Sequence, residues 1–423
     1  MPELVIKGGT VVDARGSRRA DVVVEDGRIV AVGEGLTADE VVDATGCVVA
    51  PGLVDLHTHL RQPGHEEAET VETGSRAGAL GGYTALVAMP NTTPAIDSAA
   101  MVHEVLDLGR SALCDIHVSG AITVGREGEK LAPLGEMASL GVRLFTDDGR
   151  GVQDARLMRR AMEYASDLDV ILAQHCEDEA IAQGGAMHEG EWSSRLGLPG
   201  QPPEAEELMV QRDLALTRLT GARVHFQHLS TAGSLAMVRA ARAAGLPVTA
   251  EATTHHFTLT HAACAGYDPV FKVNPPLRTE EDRQAVRAGL ADGALDAIAT
   301  DHAPHAPHLK ELPFDQAPPG MLGLETALAL AVTELDLPIE QVLALLSWRP
   351  AVIAGLTDHG GPIEPGRPAH LCVIDPTHEW VVDPGSLASR ARNTPYAGRR
   401  LRGKVRHTLL GGELVVRDGD AQR

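Results

Sequence analysis

The chain has few cysteines. Five occur in 423 residues: Cys47, Cys114, Cys176, Cys264 and Cys372. They lie far apart and form no Cys-x-x-Cys pair, which excludes both a disulfide framework and a thiolate zinc site. Positive charge is also short. Lys and Arg total 37 against 58 Asp and Glu, a net charge of -21. Unassisted nucleic-acid binding needs a basic footprint, and an anionic membrane surface would repel this chain. No apolar run approaches the roughly 18 residues that span a bilayer. The start, Met1-Pro2-Glu3-Leu4-Val5-Ile6-Lys7, lacks the basic and apolar regions of a signal peptide, so a cytoplasmic location is expected. No short repeat or low-complexity tract is present.

What remains is an ordinary globular composition, 43% hydrophobic and 22% charged, in a chain long enough for a large core and more than one domain. Within it, His and Asp recur at the ends of apolar runs. These runs are Val54-Asp55-Leu56-His57-Thr58-His59, Leu144-Phe145-Thr146-Asp147-Asp148, Ile171-Leu172-Ala173-Gln174-His175, Val224-His225-Phe226-Gln227-His228 and Ala297-Ile298-Ala299-Thr300-Asp301-His302. An apolar run that stops at a ligand-type residue reads as a strand delivering that residue to the rim of a parallel sheet. Imidazole and carboxylate without thiolate suit Zn or a similar divalent ion.

The order of elements supports this reading. Apolar runs near 48–57, 83–90, 114–123, 141–147, 169–175, 223–230, 247–253 and 295–301 alternate with helix-like stretches such as 153–168 and 231–245. Eight such units predict an α/β fold, a (β/α)8 TIM-type barrel with its chemistry on the C-terminal rim. Residues 3 to 49 and 361 to 423 instead carry short Val-rich runs broken at Asp-Gly and Gly-Gly. They predict strands and hairpins of one small β-sandwich built by both chain ends. The expected division is a composite β-domain of 1–50 and 361–423 and a barrel of 51–360. The Pro/Gly-rich segments 197–203 and 317–323 read as loops over the rim.

His57 and His59 share one strand face and can bind one ion together. His175 and His228 suggest a second ion; taken singly, each would more often be a hydrogen-bonded core residue. Two ions about 3.5–4 Å apart need a bridging anion. Asp147 or Asp148 can supply it, and strand alternation does not say which. Asp301 suits a general acid/base beside the ions, with a turn-capping Asp as the plainer alternative. Arg61, Asn91 and His305 are polar rim residues, and a guanidinium suits a substrate carboxylate. His65, His255, His256, His302 and His308 receive no role, and Cys176 is read as core.

The chain resembles the amidohydrolase superfamily and, within it, the longer, class I dihydroorotases. The resemblance spans essentially the whole chain. It rests on His59-Leu60-Arg61-Gln62-Pro63-Gly64, Met89-Pro90-Asn91-Thr92, Phe145-Thr146-Asp147-Asp148-Gly149, Ala173-Gln174-His175-Cys176-Glu177, Val273-Asn274-Pro275-Pro276-Leu277-Arg278 and Thr300-Asp301-His302-Ala303-Pro304-His305.

The resemblance implies two Zn2+ per chain, bridged by Asp148 and hydroxide. His57, His59 and Asp301 would hold one and His175 and His228 the other. Asp301 would be the catalytic acid/base. His59, Arg61, Asn91, Asn274 and His305 would contact substrate, with Pro319 and Gly320 closing over it.

The reaction implied is reversible cyclisation of N-carbamoyl-L-aspartate to L-dihydroorotate and water in pyrimidine synthesis. Hydantoinases, allantoinases and the shorter dihydroorotases bridge their metals with a carbamylated lysine. The five lysines here, Lys7, Lys130, Lys272, Lys310 and Lys404, all lie away from the fourth strand end. Other expectations are a homo-oligomer and, as one arrangement in such relatives, a complex with aspartate transcarbamoylase. Competing readings are another cyclic-amide hydrolase, or a non-catalytic scaffold for the transcarbamoylase. Gln62 departs from the acid that many relatives carry before Pro-Gly.

Overall fold

The computed structural model describes residues 3–423. Eight strands form the barrel, in chain order Leu53–Thr58, Tyr83–Ala88, Asp115–Val118, Leu144–Phe145, Ile171–Gln174, Val224–Phe226, Val248–Thr253 and Ala297–Ala299. All neighbouring pairs are parallel. Strands three, two and one form one sheet and strands four to eight another. Two parallel bridges close the circle, Gly120 to Phe145 and Thr58 to His302. The barrel strands are almost wholly buried, as expected of parallel strands covered by helices on the outside and filled by side chains within.

The helices begin where their capping residues stand. Asp154 accepts from Leu157 N–H ahead of Ala155–Ser166, and Thr231 accepts from Ser234 N–H ahead of Ala232–Ala243. Both fall inside the stretches read as helical from sequence. The Gln62 side chain accepts from Val71 N–H at the start of Val71–Leu80.

The two chain ends interleave in a seven-stranded sheet. There Val48–Pro51, from the N-terminal leg, pairs antiparallel with Leu371–Val381, which pairs in turn with Arg400–Leu410. A four-stranded sheet of Leu4–Lys7, Asp21–Glu25, Arg28–Gly33 and Glu40–Asp43 packs with it. Their shared core includes Ile6, Val22, Ile29, Val49, Val373 and Leu409. Gly52 alone separates Val48–Pro51 from the first barrel strand, so this sheet is anchored directly to the barrel. One part of the C-terminal leg leaves the sheet. Residues 387–396 cross to the barrel rim, where Leu387 and Ala391 pack on Leu322.

Candidate metal centre and active site

The C-terminal ends of strands one, four, five, six and eight converge on one buried centre. The His57 and His59 rings lie 5.3 Å apart, and His57 and His228 5.1 Å apart. His57 Nε2 stands 3.2 Å from Asp148 Oδ1 and 3.5 Å from Asp301 Oδ1. His59 Nε2 stands 3.0 Å from Asp301 Oδ1. His175 Nδ1 stands 2.9 Å from His228 Nε2 and 3.5 Å from Asp148 Oδ1. Every expected ligand is therefore within reach of Asp148 or Asp301. The donor atoms of His57, His59 and Asp301 lie within 4.8 Å of one another, as do those of His57, Asp148 and His228.

The structure separates the two neighbouring acids that strand alternation left open. Asp147 Oδ1 accepts from Ile122 N–H and Thr123 N–H, and its Oδ2 accepts from the Thr123 hydroxyl. It ties the loop after strand three. Asp148 points to the centre.

The donor set fits divalent cations. His57 Nε2 is buried and makes no aligned hydrogen bond, although it faces two carboxylates. Its other nitrogen is committed: Nδ1–H donates to Glu251 Oε1 at 3.1 Å. That aims Nε2 inward at the two carboxylates, the carboxylate–imidazole arrangement that orients metal-bound histidines. His59 Nδ1–H likewise donates to Asn91 Oδ1 at 2.9 Å.

Charge balance points the same way. Burial opposes a charge on His57, but Asp148 and Asp301 hold its pKa well above the ordinary range. Burial also opposes a charge on His175, yet its hydrogen bonds to Asp148 and Glu177 push it up to about 10. Asp148 resists its own burial and stays well below the usual carboxylate range, held by the charge on His57 and by His175 and His228. Two buried carboxylates thus demand positive charge at this point, which protonated imidazoles supply here and bound cations would supply in their place.

The backbone is strained at three of these positions. Arg61, His228 and Asp301 all adopt positive φ, 63°, 32° and 45°. Such conformations cost roughly 1–3 kcal/mol each and persist where the surroundings impose them.

Beside the metal centre lies a cavity of about 190 Å³, lined by His59, Arg61, Asn91, Asp148, His175, His228, Asn274, Asp301, His305, Pro319 and Gly320 among others. Arg61 donates from Nε to Pro304 O at 3.1 Å. Burial lowers its pKa to about 10, with Asp301 and Asp148 acting against that from a distance. Asn91 also donates to Asp148 Oδ2 at 3.3 Å, so both ends of its amide serve the centre. Asn274 donates to Glu177 Oε2, and its own Oδ1 is buried without a partner among the described residues. His305 Nε2–H donates to Pro319 O at 2.8 Å. The predicted substrate residues are thus gathered around one cavity, but several are already bonded to one another or to the centre.

Sequence reading missed several residues. Glu251 joins His57 to His225, accepting from both rings at 3.1 Å, and is held near a pKa of about 2 against its burial. Glu177 stands 3.6 Å from His175 Nε2. Its place two residues past His175, on the same side of an extended chain, was the available signal. Two histidines left without roles prove to be braces. His302 Nε2–H donates to Glu69 Oε2 while its Nδ1 accepts from Gly323 N–H. His256 bonds Thr253 Oγ1 and Pro275 O, next to Asn274. Cys176 is in the core, as expected.

A larger cavity, about 370 Å³, lies at the opposite barrel end and contains Asp115, His117, His359 and His370. Asp115 and His359 satisfy one another, whereas His117 Nε2 is buried without a hydrogen-bond partner among the described residues. His359 Nε2 lies 3.0 Å from Asp115 Oδ2. Gly411 N–H occupies His370 Nδ1, which leaves that ring no lone pair to offer toward Asp115. The chemistry belongs to the smaller cavity.

A closed parallel barrel with imidazoles and aspartates on its C-terminal rim, plus a β-domain from both chain ends, defines the amidohydrolase class. Solved structures agree in fold. An L-hydantoinase (dihydropyrimidinase) from Arthrobacter aurescens superposes with a TM-score of 0.88 at 23% identity, covering 100% of this chain and 98% of its own. A dihydropyrimidinase from Brevibacillus agri NCHU1002 gives 0.87 at 24% identity over 99% and 96%. Sequence relatives are nearer. The profile of a family described as Dihydro-orotase-like matches residues 46–234. A dihydroorotase from Pelotomaculum thermopropionicum is 47% identical over 98% of this chain and 99% of its own. One from Mycobacterium tuberculosis is 49% identical over 95% and 96%. The chain belongs to the dihydroorotase family.

Proposed function

We propose that the chain catalyses the reversible cyclisation of N-carbamoyl-L-aspartate to L-dihydroorotate and water, in pyrimidine synthesis. The observation that carries this is the half-buried Arg61 guanidinium, which pairs with no carboxylate among the described residues and lines the same small cavity as Asp148 and Asp301. A substrate with an anionic group and a hydrolysable ring amide matches both ends of that cavity. The curated relatives named above carry the corresponding name.

His57, His59, His175, His228, Asp148 and Asp301 would hold two divalent ions, with zinc the expected metal and Asp148 the shared ligand. When bound, such ions polarise an amide carbonyl and lower the pKa of water from about 15.7 to about 7. In the hydrolytic direction, Asp301 accepts the proton of the attacking water and passes it to the leaving ring nitrogen. Arg61 binds the substrate carboxylate and so aims the ring carbonyl at the centre. Asn274 Oδ1 is free to accept a substrate N–H. Asn91 steadies His59 and Asp148. His305, Pro319 and Gly320 form the wall above.

The proposal includes the division into a composite β-domain of 1–50 and 361–423 and a barrel of 51–360. It also includes a cytoplasmic location and a homo-oligomer that can associate with aspartate transcarbamoylase. Among the described residues, no helix is long and apolar enough to cross a membrane.

The test is ring opening of L-dihydroorotate by the purified protein, with metal content measured on the same sample and hydantoin and allantoin as alternative substrates. Turnover of dihydroorotate with close to two metals per chain supports the reading. Turnover of the alternatives alone replaces it with a hydantoinase-type activity. Metal binding without turnover of any of these substrates points to a different cyclic amide or to a required partner.

A further inference from the structure

Three consecutive carbonyls of the loop over the cavity are each captured by a different side chain. Pro318 O accepts from Lys310 Nζ at 2.8 Å, Pro319 O from His305 Nε2–H at 2.8 Å, and Gly320 O from Asn393 Nδ2 at 3.1 Å. Two of these residues belong to the barrel's last loop. Asn393 does not: it comes from the segment 387–396 of the C-terminal leg.

Asn393 is buried and does not line the cavity. Its amide is nonetheless fully used. Nδ2 donates to Gly320 O and also to Ala303 O at 3.0 Å. Oδ1 accepts from His305 N–H at 3.2 Å, and the Asn393 carbonyl accepts from Leu322 N–H at 3.1 Å. One side chain therefore sets the spacing between the loop after strand eight, which carries His305, and the loop that covers the cavity.

The segment is itself held in place. Glu69 accepts from the Ser389 hydroxyl and from Arg390 N–H, and also from His302. Glu325 accepts from Ala388 N–H and Ser389 N–H. Tyr396 OH lies 2.9 Å from Thr258 Oγ1. The fit around Gly320 is tight: a Cβ there would come within 2.7 Å of both Ala303 Cβ and His305 Nε2. A small shift of either loop therefore moves His305 relative to the substrate.

We propose that Asn393 is a positioning residue, through which the C-terminal segment sets His305 and Gly320 against the substrate. The substrate part of this rests on the dihydroorotase reading above. The geometric part does not.

The experiment combines hydrogen exchange with a double-mutant cycle on the full-length, metal-loaded protein. In Asn393→Ala, exchange at the Gly320 and Leu322 amides is expected to rise at least about tenfold, because both loops lose their common tie. kcat/KM for dihydroorotate is expected to fall roughly 10–100-fold, mainly through KM, as expected when buried hydrogen bonds that orient a binding group are lost. In a His305→Ala background the same change should add less than about threefold, because residues acting as one unit are not additive.

Unchanged exchange or kinetics, or a full multiplicative loss in the His305→Ala background, overturns the proposal. Should Asn393→Ala not fold, Asn393→Asp decides. It keeps the shape and the acceptor for His305 N–H but loses both donors, so faster Gly320 exchange supports the tie and unchanged exchange refutes it. A wild-type protein inert on dihydroorotate would sink the functional reading alone, because the exchange measurement still decides the tie.

Discussion

At the scale of single residues, the decisive distinction lies between groups that face the centre and groups that hold them there. Asp148 and Asp147 are adjacent and chemically identical, yet one faces four histidines and the other binds a loop. Asp301→Asn keeps the shape of the proposed acid/base but removes its proton affinity. We expect kcat/KM for dihydroorotate to fall about 10²–10⁴-fold, the usual weight of general acid–base catalysis. Metal analysis of the same variant separates lost proton transfer from lost metal. Glu251 touches no substrate but fixes the His57 ring. Glu251→Gln should weaken metal binding roughly 10–100-fold, as loss of a supporting carboxylate usually does. Chelator competition measures it, and wild-type affinity in the variant would show that His57 is oriented without this partner.

Secondary-structure elements were legible where local chemistry sufficed. Asp154 and Thr231 cap their helices at the expected ends, and the apolar runs became the barrel strands. The apolar run over 141–147 predicts strand four, yet only Leu144–Phe145 ladder with strand five. Hydrophobicity marks where a chain is buried, but hydrogen-bond pairing depends on its neighbour's course. Pro and Gly predict a loop over the rim at 317–323. Its closed position depends on captured carbonyls, which composition does not encode. Gly320 has φ of 139°, a conformation unfavourable for any side chain. Gly320→Ala should therefore lower stability by about 1–3 kcal/mol and raise KM together, through strain and the clash with His305. Thermal melting and steady-state kinetics on one preparation would reveal it, and native values in both would mean the loop relaxes freely.

At the scale of the molecule, the two chain ends do more than complete a sheet. Their C-terminal segment carries Ser389 and Asn393 to the barrel rim, and Glu325 anchors it from the barrel side. Burial pushes the Glu325 pKa up to about 7, against the two backbone N–H groups that favour its charge. Its folded-state pKa thus lies above the unfolded value, and the folded protein binds more protons between about pH 4.5 and 7. Stability from this group is present below about pH 4.5 and is lost as pH rises through 7. Glu325→Gln removes the cost while keeping an acceptor. Its melting temperature should match wild type near pH 4.5 and exceed it at pH 8, by the equivalent of a few kcal/mol. A constant difference across that range would show that the carboxyl is not buried in solution.

The sequence alone determined the architecture and marked five of the six proposed ligands, His57, His59, His175, His228 and Asp301, as strand-end residues. Hydrophobic periodicity and strand-end chemistry are local, and local patterns survive in one dimension. Asp148 was distinguished from Asp147 in sequence only through family resemblance, and geometrically only by the loop after strand three. The roles of Glu251, Glu177, His302 and Asn393 were decided by the tertiary structure. Glu251, His302 and Asn393 act through partners distant in the chain, 194 residues for His57 and Glu251 and 88 for His305 and Asn393, whereas Glu177 stands only two residues from His175. No spacing rule records which distant groups the closing of a barrel brings within hydrogen-bond reach.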